Sequence, residues 1–352
     1  MPSRTDVEVL SADANEPHPI GAGAVGLRGR LWQLATNQQM LLLFALLVLV
    51  AAFTSQNARY LSTRSFANIL QDWAPVMLMA TGETFVIISG GIDISVGSIL
   101  GLAGVVCALV MQSMTVGGAD PGLTIAAGVG VGALVGLGVG LVNGLMVTKL
   151  GLAPFIATLA TLGAAYGLTL VISHGQQIGG GPQAVTTVGN SVYLGMFTVP
   201  LITVIAIVAA SSMLLAWTQF GRWTQAIGSN RFSARGAGID VNRHLLMLYA
   251  FSGVLAGLAG VVVYFRLASG APTSGSGQEL TAIAAVVIGG ASLSGGSGSM
   301  VGTILGALII SSILSGLIFI GIEPSWQQVA VGGIIAGAVF VQGLTRPAGR
   351  AA

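Results

Sequence analysis

The chain has 352 residues, 54% of them hydrophobic and only 7% charged, where soluble domains carry roughly 25% charged residues. That composition excludes a water-soluble globule. The net charge of +2 is too small to point to a nucleic-acid partner, and a single cysteine, Cys107, excludes a disulfide framework and a cysteine metal site. No charge occurs between Lys149 and Arg222, or between Glu279 and Glu323. These runs are continuous rather than alternating, as spanning helices are and barrel strands are not. The expected class is an all-α polytopic membrane protein in contact with the lipid bilayer.

Residues 1–35 are polar, contain Pro and Gly, and lack a long apolar stretch, so they read as a disordered tail and not as a signal peptide. Cutting the rest at polar punctuation leaves ten apolar segments, at 36–54, 73–90, 96–115, 122–147, 153–173, 196–218, 244–268, 279–292, 299–320 and 325–344. The second and eighth are short or interrupted. They end in the pairs Gly90-Gly91 and Gly289-Gly290, which predicts helices that stop or break inside the protein. The membrane domain thus covers 36–345, followed by a short tail at 346–352. Ten spans put both termini on one side. With the termini cytoplasmic, Arg4, Arg28, Arg30, Lys149, Arg222, Arg231, Arg235, Arg243, Arg346 and Arg350 lie inside, and Arg59, Arg64 and Arg266 outside, which is the arrangement favoured by the bias of Lys and Arg toward the cytoplasm. The segment 220–243 then becomes the largest cytoplasmic loop.

In the fourth segment Gly128, Gly132, Gly136, Gly140 and Gly144 recur every fourth residue, giving a stripe for close helix packing. A short internal repeat is also visible. GGIDIS at 90–95 is followed by VGSILG, and GGASLS at 289–294 is followed six residues later by VGTILG. Phosphate loops, HExxH and CxxC are absent, so nothing in the chain hydrolyses ATP and no catalytic or metal site is expected.

Glu83 is the one acid well inside a predicted span, ten residues past Trp73 and so roughly 15 Å along it. It is a pathway residue or interhelical glue beside Thr81 and Thr84. Asp93 and Ser95 precede the third segment, where either suits an N-cap, or a gate. In the loop 220–243, Asn230 is placed to cap a short helix through Arg231–Arg235 that Gly236 or Gly238 ends. Such a basic helix displaying Phe232 suits a partner's groove, or its arginines merely fix topology.

Four motifs, GGIDISVGSILGLAGVV (90–106), APFIATLATLGAAYGL (153–168), FGRWTQAIGSN with ARGAGIDV (220–241) and GSGQELTAIAAVVIGGASLSGGSGSMVGTILGALI (275–309), resemble in order those of the ribose-type sugar permeases of bacterial ABC importers. The resemblance spans about residues 37–345. It implies a multi-pass inner-membrane subunit that pairs with a second permease copy, a cytoplasmic ATPase holding ATP and Mg, and a periplasmic sugar-binding protein, with no cofactor in this chain. Alternating access for a monosaccharide or polyol follows. The resemblance also implies that Gly228, Asn230, Arg231, Ala234, Arg235, Gly238 and Ile239 seat on the ATPase. Motif or gate candidates are Gly90, Gly91, Asp93, Ser95, Glu279, Gly289 and Gly290. Since a sugar's hydroxyls require a polar or wet path, Glu83, Asn143, Thr158, Thr161 and Tyr166 are its candidate lining. Thr281 stands where many relatives carry Asp, so no acid role is expected there. The alternatives are an ion-coupled carrier or channel for a small polar solute, a branched-chain amino acid ABC permease and, last, a membrane-embedded enzyme.

Overall fold

The computed structural model describes residues 38–323 and 325–345. In chain order they form α1 (Gln38–Gln56), a 3-10 turn (Ala58–Leu61), α2 (Thr63–Ile88), α3 (Val96–Val116), α4 (Pro121–Thr148), α5 (Pro154–Ser173), α6 (Gln183–Asn190), α7 (Val199–Trp217), α8 (Gln219–Ser229), α9 (Arg231–Gly236), α10 (Val241–Leu267), α11 (Gln278–Ile288), α12 (Met300–Phe319) and α13 (Ser325–Thr345). Strand pairing among these residues is limited to two isolated bridges, Ile178 with Gly270 and Tyr193 with Phe197. The expected tails, 1–35 and 346–352, lie outside the described residues.

Each of the ten predicted segments coincides with a helix. Seven of them, α1, α3, α4, α5, α7, α10 and α12, are long and apolar enough to cross a membrane. The second segment departs from expectation because α2 is not short. It runs 26 residues from Thr63, taking in Arg64, Gln71 and Asp72, which had looked like span-ending punctuation. Asp72 is tolerated there because Arg266, at the end of α10, forms an ion pair with it. Glu83 therefore lies 20 residues from the start of the helix and near its end. The eighth segment is broken as expected: α11 has 11 residues and stops at Gly289.

Helix starts follow local chemistry. Asp120 accepts from the Leu123 amide at 3.0 Å ahead of α4, Asp240 from Arg243 at 3.0 Å ahead of α10, and Ser299 from Gly302 at 3.0 Å ahead of α12. The glycine stripe of α4 packs directly on α10. A Cβ on Gly136 would stand 2.1 Å from the Gly253 carbonyl oxygen, and one on Gly140 2.3 Å from that of Tyr249. The two backbones touch with no side chain between them. The packing reading of that stripe is the one realised.

The short repeat has a structural counterpart. The Gly90 and Gly91 amides donate to Ile87 and Val86 carbonyls at 2.9 and 3.0 Å, and the Gly290 and Ala291 amides donate to Val287 and Val286 at 3.0 and 3.2 Å. Both turns need a left-handed residue, Gly90 at φ 80° and Gly290 at φ 88°. α2 and α11 thus end in the same hydrogen-bonded turn, which stops the helix and redirects the chain into the next element.

Candidate functional site

After Gly91 the chain folds back against α2, bringing Asp93 to Glu83. The Asp93 amide donates to Glu83 Oε1 at 3.1 Å. One carboxylate oxygen of Asp93 then accepts from the Ser95 hydroxyl at 2.5 Å and the Ser95 amide at 3.0 Å. The Asn143 amide donates to Ser95 Oγ at 2.8 Å and to Asp93 Oδ1 at 3.4 Å, while its own carbonyl oxygen accepts from Thr161 at 2.6 Å. Thr158 joins the loop by accepting from the Ile94 amide at 3.3 Å and donating to the Ile92 carbonyl at 3.3 Å. Four pathway candidates and two motif candidates therefore form one buried network across α2, α3, α4 and α5. Ser95 occupies the N-cap position of α3 but makes no side-chain cap bond. Its hydroxyl is turned to Asp93 instead, so neither residue caps the free amides of α3 in the expected way.

Glu83 Oε2, Asp93 Oδ2 and the Tyr249 hydroxyl are buried without a hydrogen-bond partner among the described residues. Tyr249, on α10, reaches the same turn, its hydroxyl lying 2.6 Å from where a Cβ on Gly91 would be. Sequence reasoning missed Tyr249; its signal was a hydroxyl in an otherwise apolar span. Two ionised carboxylates in a dry cluster would repel and lose their hydration. Intramembrane acids kept at such cost are functional candidates. Tyr166 is not part of the network. It lies on an exposed face of α5, whereas Thr158, Thr161 and Thr169 lie on the buried one.

The loop 220–243 meets this region through glycine. A Cβ on Gly228, in α8, would fall 1.8 Å from the Ile88 carbonyl oxygen and 2.6 Å from the Gly296 nitrogen, and one on Gly295 would fall 2.9 Å from both the Gly228 carbonyl oxygen and Gly90 Cα. The Gly296 amide also donates to the Ile88 carbonyl at 2.8 Å. Three motifs far apart in sequence thus converge on the end of α2. The Thr224 hydroxyl and His244 Nε2, 2.9 Å apart, join α8 to α10. Beyond α8, Asn230 accepts from the Ser233 amide at 2.9 Å and starts α9; Gly238, at φ 82°, follows its end. Asn230, Arg231, Arg235 and Gly238 are exposed, Ile239 is half-buried, and Phe232 is 86% exposed. Ala234 does not face outward. It is 4% exposed and belongs to the core of its own chain, because α9 turns this small side chain against the bundle.

Glu279 opens α11, with its carboxylate where a Cβ on Gly97 would sit, while Gly289 packs on Gly302 of α12. Toward the other end of α2 lies a cavity of about 370 Å³ bounded by α2, α3, α10, α11, α12 and α13. Gln71, Asp72, Arg266, Gln278, Ser311 and Gln327 contribute its polar wall. None of these was legible as a site, since apart from the adjacent Gln71 and Asp72 they come from separate helices.

Long apolar helices around a buried polar network and a cavity of mixed polar and aliphatic lining define a multi-pass membrane protein. Residues 65–341 match the family described as branched-chain amino acid transport system, permease component. The chain is 43% identical over 298 residues to the ribose import permease protein RbsC of Bacillus subtilis, covering 84% of this chain and 90% of that one. It is 39% identical to the D-allose transport system permease protein AlsC of Escherichia coli (86% and 90% covered) and 33% identical to the galactose/methyl galactoside import permease protein MglC of Haemophilus influenzae (87% and 94% covered). The chain belongs to this family, among the ribose-type sugar ABC permeases. No solved structure matches it.

Proposed function

We propose that the chain is the membrane subunit of a bacterial ABC importer that moves a monosaccharide or related polyol across the inner membrane, with ten spans over 36–345 and both termini cytoplasmic. It works with a second copy of itself, a cytoplasmic ATPase that uses ATP and Mg, and a periplasmic sugar-binding protein. Closure of the ATPases moves the inner loops, and the paired subunits open outward and then inward in turn. Relatives named for ribose, allose and galactose support the substrate class.

The observation that carries the reading is α9. A short basic helix between the 11-residue α8 and the long apolar α10 presents Phe232 at 86% exposure, while α8 seats Gly228 on the turn that leads into the Glu83–Asp93 network. An exposed aromatic flanked by Arg231 and Arg235 suits insertion into a partner's groove, and a rigid connection behind it suits transmission of force. A self-contained carrier would leave both without a use.

The test is Phe232→Asp in cells co-expressing the ATPase and binding protein. Membrane levels should stay normal, while co-purifying ATPase and ATP-dependent uptake of whichever of D-ribose, D-allose or D-galactose the wild type carries fall at least tenfold. Full ATP-driven uptake by the variant overturns the docking assignment. Equal uptake with no ATPase present would instead favour an ion-coupled carrier, for which the buried Glu83–Asp93 pair is the supporting observation.

A further inference from the structure

The ion pair of Asp72 and Arg266 is the one found among the described residues, and both partners line the cavity of about 370 Å³. Among the described residues no other charged side chain borders that cavity; Gln71, Ser274, Gln278, Ser311, Ser315 and Gln327 add uncharged polar groups, and the rest of the lining is aliphatic. Its size falls at the lower end of small-molecule sites, which run from about 300 to 1,000 Å³. The side chains of Asp72 and Arg266 are 55% and 29% exposed, so the pair stands where the cavity opens, while Ser311 at the wall is buried. Pro75 also borders it. Having no amide hydrogen, Pro75 leaves the Gln71 carbonyl without its helical partner, which weakens α2 at the cavity.

This chemistry selects its occupant. Amides and hydroxyls offer donors and acceptors together, and the paired charges cancel, so neither an anion nor a cation is favoured overall. A guanidinium fork donates to neighbouring oxygens, and a carboxylate accepts from hydroxyls. Adjacent hydroxyls of a sugar meet both, while an aliphatic side chain would leave the amides unsatisfied. We propose that this cavity is the sugar's site within the membrane domain, and that Asp72 and Arg266 form its outer gate, parting when sugar hydroxyls take over their hydrogen bonds.

The proposal rests on the importer reading, so the intact complex is used and the wild type is checked first. Absence of ATP-dependent uptake of every member of a panel of pentoses, hexoses and polyols by the wild type would refute that reading and this proposal together. With uptake established, Ser315→Cys at the cavity wall is introduced into a Cys107→Ser background and treated with a bulky, membrane-impermeant thiol reagent. Modification should lower uptake at least tenfold with ATPase activity retained, and the transported sugar should slow modification at least threefold. Adding Arg266→Gln, which keeps a donor but removes the charge, should speed modification at least fivefold. A purely structural ion pair would leave that rate unchanged. Normal uptake by the fully modified complex, a cysteine the reagent never reaches, an unchanged rate with Arg266→Gln, or protection by leucine in place of the sugar would each overturn the assignment.

Discussion

Asn143 ties three side chains of the buried network together, donating to Ser95 and Asp93 and accepting from Thr161. Replacing it with Leu conserves bulk but removes its three hydrogen bonds from the network, each worth about 0.5–1.5 kcal/mol. Asn143→Leu should therefore lower the thermal stability of the purified protein and reduce uptake, and unchanged stability would mean that the network relaxes freely. Glu83 answers a different question. In Glu83→Gln an amide oxygen can still accept from the Asp93 backbone, so folding should survive. Severalfold altered uptake with normal assembly would place the carboxyl in transport; normal uptake would leave it as the strut that holds the 90–95 loop. Sequence alone singled out Glu83 and Asn143, because polar groups in apolar runs stand out. It did not reveal that Asp93 meets Glu83, since that contact depends on the turn at Gly90 and Gly91.

At the scale of elements, α8 and α9 contrast two glycines of the same loop. A Cβ on Gly228 would collide with the Ile88 backbone, whereas one on Gly236 has nothing within 4 Å. Gly228→Ala should loosen the loop, which limited proteolysis at Arg231 and Arg235 would register as faster cleavage. Gly236→Ala should leave the cleavage rate near wild type. Equal behaviour of the two would contradict the junction described at the end of α2. Helix α9 was legible because Asn230 and Gly238 mark its bounds. α8 was not, although Gly221, Thr224 and Ile227 form a buried face at helical spacing, because the stretch reads as the polar edge of a cytoplasmic loop. The early start of α2 was hidden for another reason: Asp72 looks like a boundary until Arg266, far along the chain, is seen beside it. Local patterns expose apolar faces and caps, while partners distant in sequence emerge only after folding.

For the whole molecule, orientation is the central expectation. In a protein lacking Cys107, Ser233→Cys on α9 should react with an impermeant thiol reagent only from the cytoplasmic side, and Thr187→Cys on α6 only from the outside. Both positions are exposed. Reversed labelling would overturn the orientation and the docking role of α9 with it. The apolar runs made the long helices readable in advance, but the cavity was not, since six helices contribute to its wall. The contact between α4 and α10 has a further consequence, for the spectrum of tolerated mutations. Where two backbones meet directly, even the smallest side chain is too large, and no neighbouring rotamer can yield to admit it. A saturation library selected for sugar-dependent growth should therefore show intolerance at Gly136 and Gly140, four residues apart, matched on α10 by Gly253 and Gly257. Gly130 and Gly138, which face open space on the same helix, should accept alanine freely, so the interface would be written in the survivors as a rhythm of glycines that selection never lets go.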